Sequence, residues 1–94
     1  MTKETEELIR QAAEALVASG AKEVYLFGSA AQGTETPESD IDLAVSGLPP
    51  EVFFRAMGHA WRILHRPVDL VDLGHRNPFT ALVEQDGVPL YVRD

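Results

Sequence analysis

Cysteine is absent from this 94-residue chain. That excludes a disulfide framework, a thiolate zinc site and a cysteine nucleophile. Basic residues are few: eight Lys and Arg stand against 15 Asp and Glu, for a formal net charge of −7. Without a basic stripe, direct binding to nucleic acid is not expected. A negatively charged ligand would need its counter-charge from a metal ion or a partner. Long apolar runs are also missing, since no stretch approaches the roughly 20 residues that span a bilayer. The N-terminal MTKETEELIRQ lacks the basic start and apolar core of a signal peptide. No membrane role is expected, and the lack of cysteine fits a reducing, cytoplasmic setting.

What is present suffices for a core. Hydrophobic residues make up 45% and charged residues 24% of the chain, ordinary values for a folded protein. The length fits one domain over residues 1–94. Leu8/Ile9, Ala12/Ala13 and Leu16/Val17 recur at a helical period, and Gly20 stands where a C-terminal glycine belongs. Glu23 to Phe27 reads as a strand stopping at Gly28, and Ser29 to Gln32 as a helical turn broken by Gly33. TETPES, from Thr34 to Ser39, is a polar loop before a strand from Asp40 to Ser46.

Val52, Phe53, Met57, Ala60, Trp61 and Leu64 then share a broad helical face that Pro67 brings to an end. Val68 to Leu73 is a third strand, and Asn77-Pro78 opens a helix to about Asp86. Val88 to Val92 is an extended tail, with room for a last strand. The order α-β-turn-β-α-β-α describes a mixed α/β (α+β) domain, a small sheet backed by helices on one face.

Asp40 and Asp42 are an oddity in so acidic a chain, because like charges one residue apart in an apolar run repel and are costly to desolvate. Alternation puts both on one side of their strand, with Ile41 and Leu43 toward the core. Asp69 repeats the pattern between Val68 and Leu70. If the two strands are neighbours, three carboxylates converge. Hard divalent cations relieve such clusters, and Mg²⁺ binds through a few carboxylates together with substrate phosphates. Gly28 lets backbone approach a ligand, while the following turn and the Ser29 hydroxyl offer donors to phosphate. Together these parts describe a phosphoryl-transfer site.

The string FGSAAQG…SDIDLAV…VDLVDL resembles the minimal nucleotidyltransferases (MNT) of the DNA polymerase beta superfamily, over nearly the whole chain. The resemblance implies a nucleotidyltransferase-like core in which Gly28 and Ser29 contact nucleotide phosphates. It also implies that Asp40 and Asp42 bind two Mg²⁺ ions, and that Asp69 binds one of them and helps activate an acceptor hydroxyl. Members of the family transfer a nucleoside monophosphate from an NTP, here expected to be AMP from ATP. Short members often accompany a HEPN protein as its antitoxin, in some cases adding AMP to that partner. One departure is plain: Ala30, Ala31 and Gln32 stand where many members carry arginines, as in a GSRARG-like stretch. Arg62, Arg66 and Arg76 are the candidates to replace that charge. Neutralisation of a toxin by binding alone, or regulation by a degenerate nucleotide-binding domain, are the alternative functions.

Other residues have simpler readings. Asp72, at a strand end, is a solvated carboxylate before it is a ligand, and Ser29 could serve as a helix N-cap. His59, His65 and His75 have no metal-ligand spacing. Phe53, Phe54, Met57 and Trp61 are core or interface residues, and a broad apolar helix face in so small a domain leaves room for homo-oligomer or partner contacts.

Overall fold

The computed structural model describes residues 1–92. Four helices and four strands alternate: α1 (Lys3–Ala18), β1 (Glu23–Phe27), α2 (Gly28–Gln32), β2 (Ile41–Ser46), α3 (Pro50–Leu64), β3 (Val68–Asp72), α4 (Pro78–Asp86) and β4 (Val88–Val92). The sheet runs β3-β2-β1-β4. β1 pairs antiparallel with both β2 and β4, whereas β2 and β3 are parallel. A parallel pair needs a crossover, and α3 supplies it.

Local chemistry explains most element ends. Thr2 opens α1 by accepting the Thr5 N–H at 3.0 Å, which satisfies one of the donors a helix start leaves free. At the other end Gly20 has a φ of +121°. Its N–H donates to the Val17 carbonyl and that of Ala21 to the Leu16 carbonyl. This paired pattern closes a helix through a residue that needs positive φ. Asn77 and Thr80 form a reciprocal capping box at the start of α4, with bonds of 2.9 and 3.0 Å.

α3 ends sooner than Pro67 alone would require. A residue before proline is pushed out of helical geometry, which already bars Arg66 from the helix. The reversal occurs at His65, with a φ of 58° and its N–H bonded to the Trp61 carbonyl.

One face of the sheet holds the main core. Val24 and Leu26 of β1, Ile41, Leu43 and Val45 of β2, and Val68 and Leu70 of β3 pack there against α1 and α3. α1 contributes Ile9, Ala12, Ala13 and Leu16, and α3 contributes Ala56, Ala60 and Leu64. α3 packs chiefly against α1, and the small residues Ala56 and Ala60 are among those it buries. Of the residues read as core or interface, Trp61 is 47% exposed and Phe54 75% exposed, so neither belongs to the core.

The expectation of helices on one face alone also needs correction. α4 lies on the opposite face, where Val83 packs with Ala44, Leu73, Tyr25, Phe27 and Val71 in a smaller cluster. The rest of that second face is open. β4, an extended tail in the sequence reading, is a paired edge strand with a register shift opposite Val24/Tyr25.

This division of labour sets an expected stability contrast. Leu43 is fully buried, so Leu43→Ala should cost about 2–5 kcal/mol through lost transfer energy and a residual cavity. Phe54→Ser should stay within about 0.5 kcal/mol of the parent. Urea unfolding followed by circular dichroism checks both, and equal losses would refute this placement of the core.

Candidate functional site

Strand alternation sends Asp42 to the open face, since its neighbours Ile41 and Leu43 are buried in the core. Asp69 does the same between buried Val68 and Leu70. The parallel register makes Asp42 and Asp69 direct partners, and the antiparallel register sets Phe27 opposite Asp42 on the other side. The C-terminal end of β1 therefore meets the N-terminal ends of β2 and β3. Asp40 and Asp69 are exposed, while Asp42 is half-buried.

Asp40 lies one residue before β2 begins, so its direction depends on the preceding loop and not on the ladder. Asp72 has opposite parity to Asp69 in β3, and its Oδ1 accepts the Gly74 N–H at 2.8 Å. It holds a turn and takes no part in the acidic cluster.

Electrostatics tie the three acids together. The Asp42 carboxyl is pushed above its ordinary value, first by burial, then by the charges of Asp69 and Asp40. Burial disfavours the ionised form and neighbouring anions add to that. The donor set is all-oxygen and locally short of positive charge, which is the chemistry that hard divalent cations satisfy. Asp40, Asp42 and Asp69 thus fit such an ion by donor type and charge. Their side chains, as they stand among the described residues, are not drawn into a closed ligand set.

Gly28 completes the geometry. It opens α2 with a φ of +70°. A Cβ there would overlap the Asp42 Oδ2 and lie 3.0 Å from its Cγ. The missing side chain is thus what lets the β1–α2 turn pass beside the carboxylate. Ser29 is not the N-cap of α2. That position belongs to Phe27, which supplies no side-chain bond, so no side chain caps the first N–H groups of the turn. Beside Gly28 a cleft of about 120 Å³ opens between α2 and α4, lined by Phe27, Ala31, Phe79 and Leu82 among others. The Phe79 ring meets Phe27 edge-on at 5.8 Å. A larger groove of about 380 Å³ lies elsewhere, between α1 and β4.

The model of the polymerase beta nucleotidyltransferase family matches residues 10–94. The chain belongs to this family. A comparison with curated proteins finds no match. Among solved structures, a candidate minimal nucleotidyltransferase shares 26% identity with a TM-score of 0.80, over 95% of this chain and 96% of its own. A chain of a toxin–antitoxin crystal structure with AMP-PNP shares 29% identity at a TM-score of 0.76, over 95% of this chain and 74% of that one. The complex of tri-AMPylated Shewanella oneidensis HEPN toxin with MNT antitoxin contains a chain of the same fold. It is 24% identical with a TM-score of 0.68, over 94% of this chain and 72% of that one. The nucleotidyltransferase domain thus shows the family fold around the cluster described above.

Two features of the site escape the sequence reading. The steric dependence of Asp42 on Gly28 joins residues on different elements, and no local pattern announces it. Phe79 carries a readable signal, because Phe79, Leu82 and Asp86 recur at helical spacing on the side of α4 that lines the cleft.

The charge cluster predicts a pH-dependent stability difference. The ordinary Asp value is 3.8 and the folded-state value of Asp42 lies higher. Folded protein therefore holds this proton more tightly than unfolded protein. The resulting stability is fully present below the ordinary value and lost as pH rises through the folded-state value. The amide introduced by Asp42→Asn cannot ionise and suffers no such loss. In metal-free buffer with chelator, the advantage of Asp42→Asn over the parent should grow between about pH 4 and about pH 7. Urea midpoints measure it, and a gap that stays flat or shrinks would remove the charge-clustering account.

Proposed function

We propose that the chain is a Mg²⁺-dependent nucleotidyltransferase that moves AMP from ATP to a hydroxyl on a HEPN-type partner protein, and so acts as the antitoxin of a pair. The observation that carries this reading is the in-register pairing of Asp42 with Asp69 beside the Gly28 turn. It draws support from the 29% identical chain of a toxin–antitoxin structure with AMP-PNP. The Shewanella complex, similar in fold, pairs an AMP-bearing HEPN toxin with an MNT antitoxin.

Asp40, Asp42 and Asp69 would hold Mg²⁺, whose charge neutralises the phosphate oxygens and polarises the phosphorus under attack. The uncapped N–H groups at the start of α2 and the Ser29 hydroxyl donate to the phosphates and orient them. Asp69 accepts the proton of the acceptor hydroxyl. The hydroxyl oxygen then forms a bond to the α-phosphorus while the bond to the bridging oxygen breaks, and pyrophosphate leaves with that electron pair. Positioning and charge complementarity do most of this work, because such a displacement asks little covalent chemistry of the protein.

A second reading has its own observation. α2 carries no cation, and Arg66, a sequence candidate to supply one, is already bound to Glu35 at 3.0 Å. A site this negative favours neutralisation of a toxin by binding alone.

One experiment separates the two readings. Labelled ATP, Mg²⁺ and a HEPN-type partner should yield AMP-modified partner with the parent chain. Asp40→Asn/Asp42→Asn should lower transfer by roughly a thousandfold or more. Transfer that survives the double substitution contradicts the enzymatic reading, and toxin neutralisation that survives it without transfer supports the second.

A further inference from the structure

We propose that Arg66 is a positioning residue that holds the loop between α2 and β2 so that Asp40 is presented to the acidic cluster. This rests on the reading of Asp40 as part of the site.

Asp42 and Asp69 are aimed by the sheet, but Asp40 sits outside it, at the end of a loop with no regular structure. Thr34, Thr36, Pro37 and Glu38 of that loop are exposed, so packing does little to fix its path. A single guanidinium nitrogen spans it. Arg66 Nη1 donates to Glu35 Oε2 at 3.0 Å, to the Thr36 carbonyl at 2.8 Å and to the Ser39 carbonyl at 3.3 Å. The first contact lies at one end of the loop, and the last is the residue immediately before Asp40.

Within the loop, Thr36 and Ser39 bond each other through one backbone pair, N–H of Ser39 to the Thr36 carbonyl at 3.0 Å, and through the Ser39 hydroxyl, which accepts the Thr36 N–H at 2.9 Å and meets Thr36 Oγ1 at 3.1 Å. Next to Arg66, the Pro67 carbonyl accepts the Ile41 N–H at 2.9 Å. Asp40 is thereby bracketed by ties on both sides to the turn that joins α3 to β3. That same turn leads directly into Asp69, so one short segment sets the relation of Asp40 to the other two acids.

The ion pair is sheltered, with side chains 12% exposed for Arg66 and 8% for Glu35. A surface pair would be solvated and loose. This one also has backbone acceptors that a mobile side chain would not keep, and charge-assisted bonds of this kind give directional restraint. The arginine therefore does not serve as a free cation for triphosphate. Its charge is committed inside the loop.

Two measurements on the full chain test the assignment. In ¹⁵N-resolved hydrogen exchange, Arg66→Ala should speed exchange at Ser39 and Ile41 by at least about tenfold, while β1 and the remainder of β2 and β3 stay protected. With Mn²⁺ as paramagnetic probe, the parent should show broadening at Asp40, Asp42 and Asp69. In Arg66→Ala the effect at Asp40 should weaken, and that at Asp42 and Asp69 should persist. Arg66→Met keeps the apolar stem but none of the donors, so it should behave like Arg66→Ala, and it carries the test if Arg66→Ala does not fold.

If Mn²⁺ broadens none of the three aspartates in the parent, the reading of the site fails, while the exchange measurement still decides the role of Arg66. Parent-like exchange and parent-like broadening at Asp40 in Arg66→Ala would overturn the positioning role. So would parent-like behaviour in Arg66→Met should Arg66→Ala prove unfolded.

Discussion

The parallel pairing of β2 with β3 is the constraint on which the rest depends. It puts Asp42 opposite Asp69, and it can form only because α3 carries the chain across one face of the sheet. A slip of one residue would turn Asp69 into the core and bring Val68 or Leu70 out. The buried rows Ile41-Leu43-Val45 and Val68-Leu70 forbid that slip. Hydrophobic burial on one side thus holds together, on the other, charges that would otherwise separate. The site is unfavourable in isolation and is imposed by the core beneath it.

Much of this arrangement can be read along the chain, for a physical reason. Alternation in a strand is a local rule, so the direction of Asp42 follows from Ile41 and Leu43 without knowledge of any partner, whereas Asp40, one residue before β2, takes its direction from the loop. Caps and breakers are local too, as Asn77-Pro78 and Gly20 illustrate. Adjacency is different. Nothing in VDLVDL states that it pairs with IDLAVS, and nothing in VPLYV states that it joins β1, with Pro89 unable to donate to the ladder and a register shift in the pairing. Those contacts are made across the whole length of the chain. Trp61 shows the limit of pattern reading from the other side. A broad apolar face is visible in the sequence, but the strip that is buried runs through Ala56, Ala60 and Leu64, a narrower line than the apolar face.

Charge is distributed with similar restraint. The segment after Gly28-Ser29 has no basic residue, and the cation closest in sequence to Asp69 is turned toward Glu35 and two carbonyls. Arg62 and Arg76, the other sequence candidates, are exposed. The domain therefore offers carboxylates and backbone donors and little positive charge of its own to a phosphate-bearing ligand. Compensation from outside the chain, by an ion or a partner, is the complement such a surface calls for.

The notch at Gly28 reaches beyond chemistry into heredity. Because a Cβ at that position and the carboxylate at Asp42 claim the same space, the two positions cannot drift independently. Losing the acid would remove the overlap with the carboxylate, but a side chain at position 28 would still carry the strain of a φ of +70°. Once the notch is filled, restoring the acid alone meets that overlap, so return takes two changes and not one. Glycine at 28 is thus held by two constraints at once, the neighbouring carboxylate and the backbone conformation.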